Sequence, residues 1–379
     1  MLKRKFFATA FTLSGAVIGA GILGLPYVFS RSGFFIGVFW LILLGFLMLF
    51  VNLCLGEVSL RTKKIHQLPG YAEKYLGNYG KMVMFFAVIF GIYSALLAYL
   101  IGEGQSLSKL FFGTLDYSIY FAFAFWILMT LFLREGLKGL KKIEFYGVIV
   151  IIGIIFSIFL WFIPEVSFSN LNYYDFSNFF FPFGVVLFAM LGFTSIPELR
   201  REIKGEEKLF KKAIILGTLI PVFLYFIFTL IFVGVLGKSV EQIATISFGS
   251  FITVLGIFTM LTSYFVLSFS LKDIFIYDLK PQNSLMNFLG RKKLSFIFVS
   301  LVPLVLYLAV TFFDFVDFVR ILGIGGVISG GLTGILILLM NINAKKTGNR
   351  KSEFSIPINW FVIGILSLIF VLGIVVELF

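Results

Sequence analysis

The chain is short of charge. Of its 379 residues, 13% are Asp, Glu, Lys or Arg, where a soluble domain carries roughly 25%. Hydrophobic residues make up 60%, and no soluble fold could hide that much apolar surface behind so little polar covering. Cys54 is the only cysteine, which excludes an intrachain disulfide and a cysteine-based metal site. His66 is the only histidine and lies in a basic loop. With no Ser/His/Asp set and no metal-ligand spacing, the sequence offers an enzyme little to work with. It has no phosphate-binding G-x-x-x-x-G-K-[ST] loop either, which argues against an ATP-driven pump. No resident cofactor is expected.

What is present is apolar length. Crossing about 30 Å of hydrocarbon takes roughly 20 residues. Eleven runs are expected to do so: 6–30, 34–55, 82–103, 118–133, 143–163, 179–198, 213–236, 248–271, 294–312, 318–340 and 358–378. The formal charge of +12 could suggest a nucleic-acid partner, but the Lys and Arg residues sit in short loops between apolar runs. That distribution is a membrane signature. With a cytoplasmic N-terminus, all but Arg31, Lys109, Lys238 and Arg320 of the 31 basic residues fall on the inside, as the positive-inside rule requires. The C-terminus is then outside. Residues 1–30 resemble a signal peptide, but the run is too long, contains Pro26 and precedes ten further spans, so it is expected to remain as the first helix. The expectation is an all-α, multi-pass protein of the plasma (inner) membrane, one domain over 1–379, with lipid around it and no obligatory protein partner.

Gly19-Ala20-Gly21-Ile22-Leu23-Gly24 fits the dinucleotide pattern G-x-G-x-x-G, but no acidic residue follows where the ribose would need one, so that reading fails. Gly15, Gly19, Gly21, Gly24 and Pro26 instead suit a helix interruption, since glycine weakens a helix and proline removes a donor. Unwound backbone at membrane depth survives only within protein or along a polar cavity. The plainer alternative is a glycine face for close helix packing. Gly192-Phe193-Thr194-Ser195-Ile196-Pro197 in the sixth span repeats the layout of Gly21-Ile22-Leu23-Gly24-Leu25-Pro26. Matching interruptions in inverted halves are the best sequence pointer to a transporter binding site. An ionic ligand approaching a backbone N–H needs open space, and glycine at position 21 is expected to leave it.

In the eighth span, Thr259, Thr262 and Ser263 share a helical face and could help to ligate a small cation; hydroxyls bonded to the preceding turn are the commoner outcome. Glycines 323, 326, 330 and 334 in the tenth span form a packing face. The acids near helix ends, Glu57, Glu103, Glu144, Glu198, Asp273 and Asp314, are expected to be mostly solvated caps. Glu103 and Glu198 are the exceptions to watch, because an intramembrane carboxylate is often a proton carrier.

Residues Gly15 to Pro26 resemble the first-helix signature of permeases of the amino acid–polyamine–organocation superfamily. Gly192 to Leu199, ending Pro197-Glu198-Leu199, is similar to the sixth helix of its amino acid/auxin and aromatic amino acid branches. Leu261-Thr262-Ser263-Tyr264 and Leu271-Lys272-Asp273-Ile274-Phe275 resemble the eighth helix of bacterial tryptophan/tyrosine permeases. The resemblance implies a LeuT-type fold, with inverted repeats over about 6–163 and 179–340 and an extra helix at about 358–378. It implies a substrate between helices 1, 3, 6 and 8, with backbone at Gly19, Ala20 and Gly21 receiving a carboxylate. Gly192, Phe193 and Thr194 would receive the amino group, and Tyr93 in helix 3 would face the ligand. Gly15 and Ile18 carbonyls with Thr259, Thr262 and Ser263 match the sodium site of sodium-coupled relatives, while aromatic permeases use protons, so the coupling ion is sodium or proton. The expected function is ion-coupled symport of a neutral, apolar or aromatic amino acid. The alternative is an amino acid sensor on the same fold, without net transport.

Overall fold

In a bilayer every backbone N–H and C=O must find a partner inside the protein, which leaves a chain this apolar with helices as its main solution. The computed structural model describes residues 2–135, 140–277, 291–313 and 316–378, and among them no strand occurs. The helices are α1 (Leu2–Val17), α2 (Gly21–Ser32), α3 (Phe34–Leu60), α4 (Leu68–Phe112), α5 (Ser118–Glu135), α6 (Leu140–Phe162), the short α7 (Phe168–Leu171), α8 (Phe181–Ala189) and α9 (Ile196–Glu202). They continue as α10 (Phe210–Leu236), α11 (Ser250–Tyr277), α12 (Arg291–Phe313), α13 (Phe318–Gly325), α14 (Gly331–Thr347) and α15 (Trp360–Leu378).

Among the described residues, eight helical stretches are long and apolar enough to cross a membrane. A ninth is formed by α1 and α2 together, bent by 57°, and two shorter apolar helices cover Ser118–Arg134 and Ile149–Glu165. Many of the outward-facing large side chains are apolar, among them Phe46, Phe251, Phe312 and Phe361, as lipid contact demands.

The third helix starts earlier than its apolar run, at Leu68 rather than near 82, and is kinked at Gly77, whose φ of 76° favours glycine. Polar residues in its first turns, among them Glu73, Lys74 and Lys81, hid that extension from a hydropathy reading. The glycine face of the tenth run packs tightly. A Cβ at Gly326 would collide with the Gly184 carbonyl of α8, and one at Gly334 would meet the Phe370 ring of α15 at 2.6 Å. A π-helical turn, Gly326–Gly330, lies between α13 and α14.

Hydrogen bonds tie the loops into two groups at opposite ends of the bundle. At one end Lys5 Nζ donates to the Lys204 carbonyl at 3.0 Å, Arg200 donates to the Ser59 carbonyl, and the Asn349 and Arg350 N–H groups donate to the Arg61 carbonyl. At the other end the Asp175 N–H donates to Ser32 O at 2.9 Å, Asn170 to Gly234 O, and Gln242 to Asp317 at 3.0 Å.

Glu57 corrects the expectation of a solvated cap. It is fully buried at the end of α3 and accepts from Arg61, Ser355, the Ile356 N–H and Asn341. A buried carboxylate needs such partners, and these strap the 348–357 segment to α3. Asp273 is exposed, as expected. Asp314 and the Glu144 side chain lie outside the described residues, as do the side chains of several basic residues counted for orientation, Lys138, Lys141, Lys142 and Lys280 among them.

Candidate functional site

Two interruptions, each placed by glycine and followed by proline, meet in the middle of the bundle. The helix is broken over 18–20 between α1 and α2, and over 190–195 between α8 and α9, where Phe193–Ser195 forms a 3-10 turn. Each break leaves backbone carbonyls at the end of one half-helix and N–H groups at the start of the next without intrahelical partners. No side chain caps α2 or α9.

The two breaks interlock. A Cβ on Gly21 would collide with the Ala189 backbone at the end of α8, and one on Gly192 would collide with Val17 at the end of α1. The reason for glycine at position 21 therefore differs from the expectation: the space is taken by Ala189, and close packing explains the residue. Gly19 borders cavity rather than the backbone of the other break. A Cβ there would meet Tyr99 Oη at 2.8 Å and Ser263 Oγ at 3.7 Å.

Beside the breaks lies a cavity of about 170 Å³, lined among others by Gly15, Ile18, Gly19, Tyr99, Thr194, Thr262 and Ser263. A second of about 80 Å³ shares Gly19, Tyr99 and Thr194 with it and adds Gly21 and Phe193. Among the described residues, no Asp, Glu, Lys or Arg lines either one. The structure thus brings Gly15, Ile18, Gly19, Thr262 and Ser263 from the first and eighth runs together with Phe193 and Thr194 from the sixth.

Other expected residues lie elsewhere. Ala20 lines neither cavity, but its N–H donates a long bond to Tyr99 Oη, 3.4 Å. Gly192 sits in the seam against Val17. Thr259 is buried away from the cavities and donates to Leu255 O at 2.9 Å. Thr262 reaches the larger cavity while donating to Phe258 O and Thr259 O, both at 3.0 Å. Back-bonding of this kind is the commoner use of a membrane hydroxyl.

Tyr93 is not at the cavities; its hydroxyl donates to Phe298 O of α12 at 3.1 Å. The tyrosine of helix α4 that reaches the break is Tyr99, fully enclosed beside Tyr264. Glu103 lies one turn beyond Tyr99, fully buried, and among the described residues neither carboxyl oxygen meets a hydrogen-bond partner at standard geometry, the Leu261 backbone being the polar group beside it. Glu198 sits half-buried in the first turn of α9.

Tyr225 of α10 went unnoticed in the sequence. Its buried hydroxyl lies 2.9 Å from both Val17 O and Ala189 O, the last carbonyls of α1 and α8. A polar residue inside an apolar run was the signal available. An unpartnered buried carbonyl costs about 1–3 kcal/mol, so this contact matters to the breaks.

Geometry of this kind, two broken helices around an uncharged cavity, suits a ligand held by backbone dipoles. The fold matches that of a manganese transporter from Eremococcus coleocola, with a TM-score of 0.64 at 13% identity, covering 98% of this chain and 86% of that one. A tyrosine-specific transport system of Haemophilus influenzae is 28% identical over 63% of this chain and 60% of its own length. Glutamine transporter 2 of Aliivibrio fischeri is 24% identical over 61% of each chain. The matched region thus spans about three fifths of these relatives. These relatives are transport proteins, not enzymes. A broader match runs from end to end: residues 2–379 fit the sequence profile of the tryptophan/tyrosine permease family, and the chain belongs to that family.

Proposed function

We propose that this chain is a secondary active transporter that moves a neutral, apolar or aromatic amino acid across the plasma membrane by symport with sodium or protons. The observation that carries the reading is the uncharged cavity at the meeting of two helix breaks. An unpaired charge brought there would cost several kcal/mol, so the substrate side chain should be neutral. A cavity of about 150 Å³ accepts benzene, so the larger cavity, about 170 Å³, is of a size for one aromatic ring. Relatives specific for tyrosine and for tryptophan agree with this choice.

In this reading the chain crosses the membrane eleven times in a LeuT-type arrangement, with its N-terminus cytoplasmic and its C-terminus outside. The N–H groups from Gly19 to Gly21, of which that of Ala20 gives up its long bond to Tyr99 Oη, receive the substrate carboxylate, and Gly192, Phe193 and Thr194 receive the amino group. Gly15, Ile18, Thr262 and Ser263 border the same cavity and supply oxygens if the coupling ion is sodium. Glu103 is the proton carrier if it is a proton, because a buried carboxyl without partners is best accommodated as the neutral acid.

The test is uptake of a labelled amino acid panel into proteoliposomes, with sodium and proton gradients imposed separately. Uptake of phenylalanine, tyrosine, tryptophan or leucine is expected to respond to one gradient. If the proton gradient drives it, Glu103→Gln should abolish the response to pH while leaving exchange of substrate. Transport of lysine or glutamate with no neutral substrate moved would overturn the reading.

A further inference from the structure

We infer that the Tyr225 hydroxyl is the positioning group that holds the two helix breaks in register around the substrate cavity, an inference that rests on the transport reading above. The contact joins elements that are far apart in sequence. Val17 ends α1 and Ala189 ends α8, and at a helix end the last carbonyls have no intrahelical donor. Tyr225 Oη stands 2.9 Å from each of the two oxygens. A phenol has one proton to give, so the two carbonyls share it, and both are satisfied only while each stays within reach of the one hydroxyl.

The glycine contacts make this a reciprocal arrangement. Gly21, just past the first break, packs on Ala189 at the second; Gly192, within the second, packs on Val17 at the first. The residues that anchor Tyr225 are therefore the same two that the glycines touch. Sliding α8 along α1 would break at least one hydroxyl bond and drive one glycine contact into collision. Helix α10 also grips α1 lower down, where Ser14 Oγ donates to Gly217 O at 3.1 Å, so Tyr225 reports the position of α1 against a fixed support. Substrate-binding N–H groups begin two or three residues after Val17, and Thr194 follows Ala189 by five. Their spacing across the cavity is what the hydroxyl sets.

Tyr225→Phe keeps the buried ring and deletes only the hydroxyl. Thr229→Val is the control: its hydroxyl is equally buried one turn on, yet bonds only within α10, to Tyr225 O at 2.7 Å and Phe226 O. Both variants and the wild type are reconstituted, and uptake of the best amino acid in the panel is measured beside the rise in Tm that this substrate produces. For Tyr225→Phe the expected result is a KM raised about tenfold with Vmax per inserted protein within about twofold, and a clearly smaller substrate-induced Tm rise than the wild type shows at the same concentration. Thr229→Val should match the wild type in both. A wild-type KM for Tyr225→Phe, whatever its own Tm, overturns the inference. So does failure of Tyr225→Phe to insert when Thr229→Val inserts normally, because the hydroxyl would then be a requirement of folding alone. A wild type that takes up no member of the panel sinks the transport reading, and this inference with it.

Discussion

Tyr93 and Tyr99 stand six residues apart on α4, which at 3.6 residues per turn turns them about 120° away from each other. Depth alone favours Tyr93, near the middle of its apolar run, but the helix face decides. Tyr93 points to α12 and bonds Phe298 O; Tyr99 points to the first break and receives the Ala20 N–H. Removing each hydroxyl in turn should separate the two roles. Tyr99→Phe loses a hydrogen bond at the cavity, a net effect of about 0.5–1.5 kcal/mol, which corresponds to a KM roughly two- to twelvefold higher. Tyr93→Phe should leave KM within about twofold and show itself only as a small loss of stability. Equal KM values for the two variants would mean that Tyr99 has no part in binding. The same face carries Glu103 one turn further on, so a single stripe of α4 presents to the bundle interior both a hydroxyl at the cavity and an unpartnered carboxyl.

The broken helices show why part of the structure could be read from sequence and part could not. Glycine and proline act locally, so both interruptions announced themselves at Gly15–Pro26 and Gly192–Pro197. What fills the space beside each glycine is a tertiary matter, and there local reasoning failed. Gly21 looked like an opening for a carboxylate, yet Ala189 occupies the position a side chain would take. Tyr225 and Glu57 were missed for the same reason: each bonds to segments far away in the chain, Val17 and Ala189 for the one, Asn341, Ser355 and Ile356 for the other. The start of α4 escaped because its first turns are polar. The packing of Gly21 leads to a definite expectation. Gly21→Ala forces two half-helices apart, and overpacking costs about 1–3 kcal/mol, or a fall in Tm of roughly 2–10 °C. Gly19→Ala, which would press on the movable Tyr99 hydroxyl, should instead raise KM with a smaller change in Tm. Measuring Tm and KM on the same preparations checks both. A Gly21→Ala protein as stable as the wild type would remove the interlock from the account of the site.

The whole bundle has two chemically different ends, and this gives the orientation a structural test. Loops near Arg61, Lys204 and Arg350 are bonded to one another or to the N-terminal helix at one end. Loops near Ser32, Asp175, Gly234 and Asp317 meet at the other. Basic residues concentrate at the first end; the second holds Arg31, Lys109, Lys238 and Arg320. Lys and Arg in short loops are retained on the cytoplasmic side during insertion, so the first end should face the cytoplasm. A reporter inserted in the loop at Lys204 is expected to read cytoplasmic, and one fused after Phe379 to read outside, since α15 starts from the basic end and runs away from it. The two positions are informative together because an odd number of crossings separates them. One helix missed or invented between them would bring both reporters to the same side, and that result would end the eleven-span arrangement. Both reporters on the reverse sides would keep the arrangement and overturn the charge argument. A cysteine pair at Lys5 and Lys204, in a Cys54→Ala background, supplies the independent check: the Lys5 ammonium lies 3.0 Å from the Lys204 carbonyl, so a short cross-linker should join the pair from the cytoplasmic side alone.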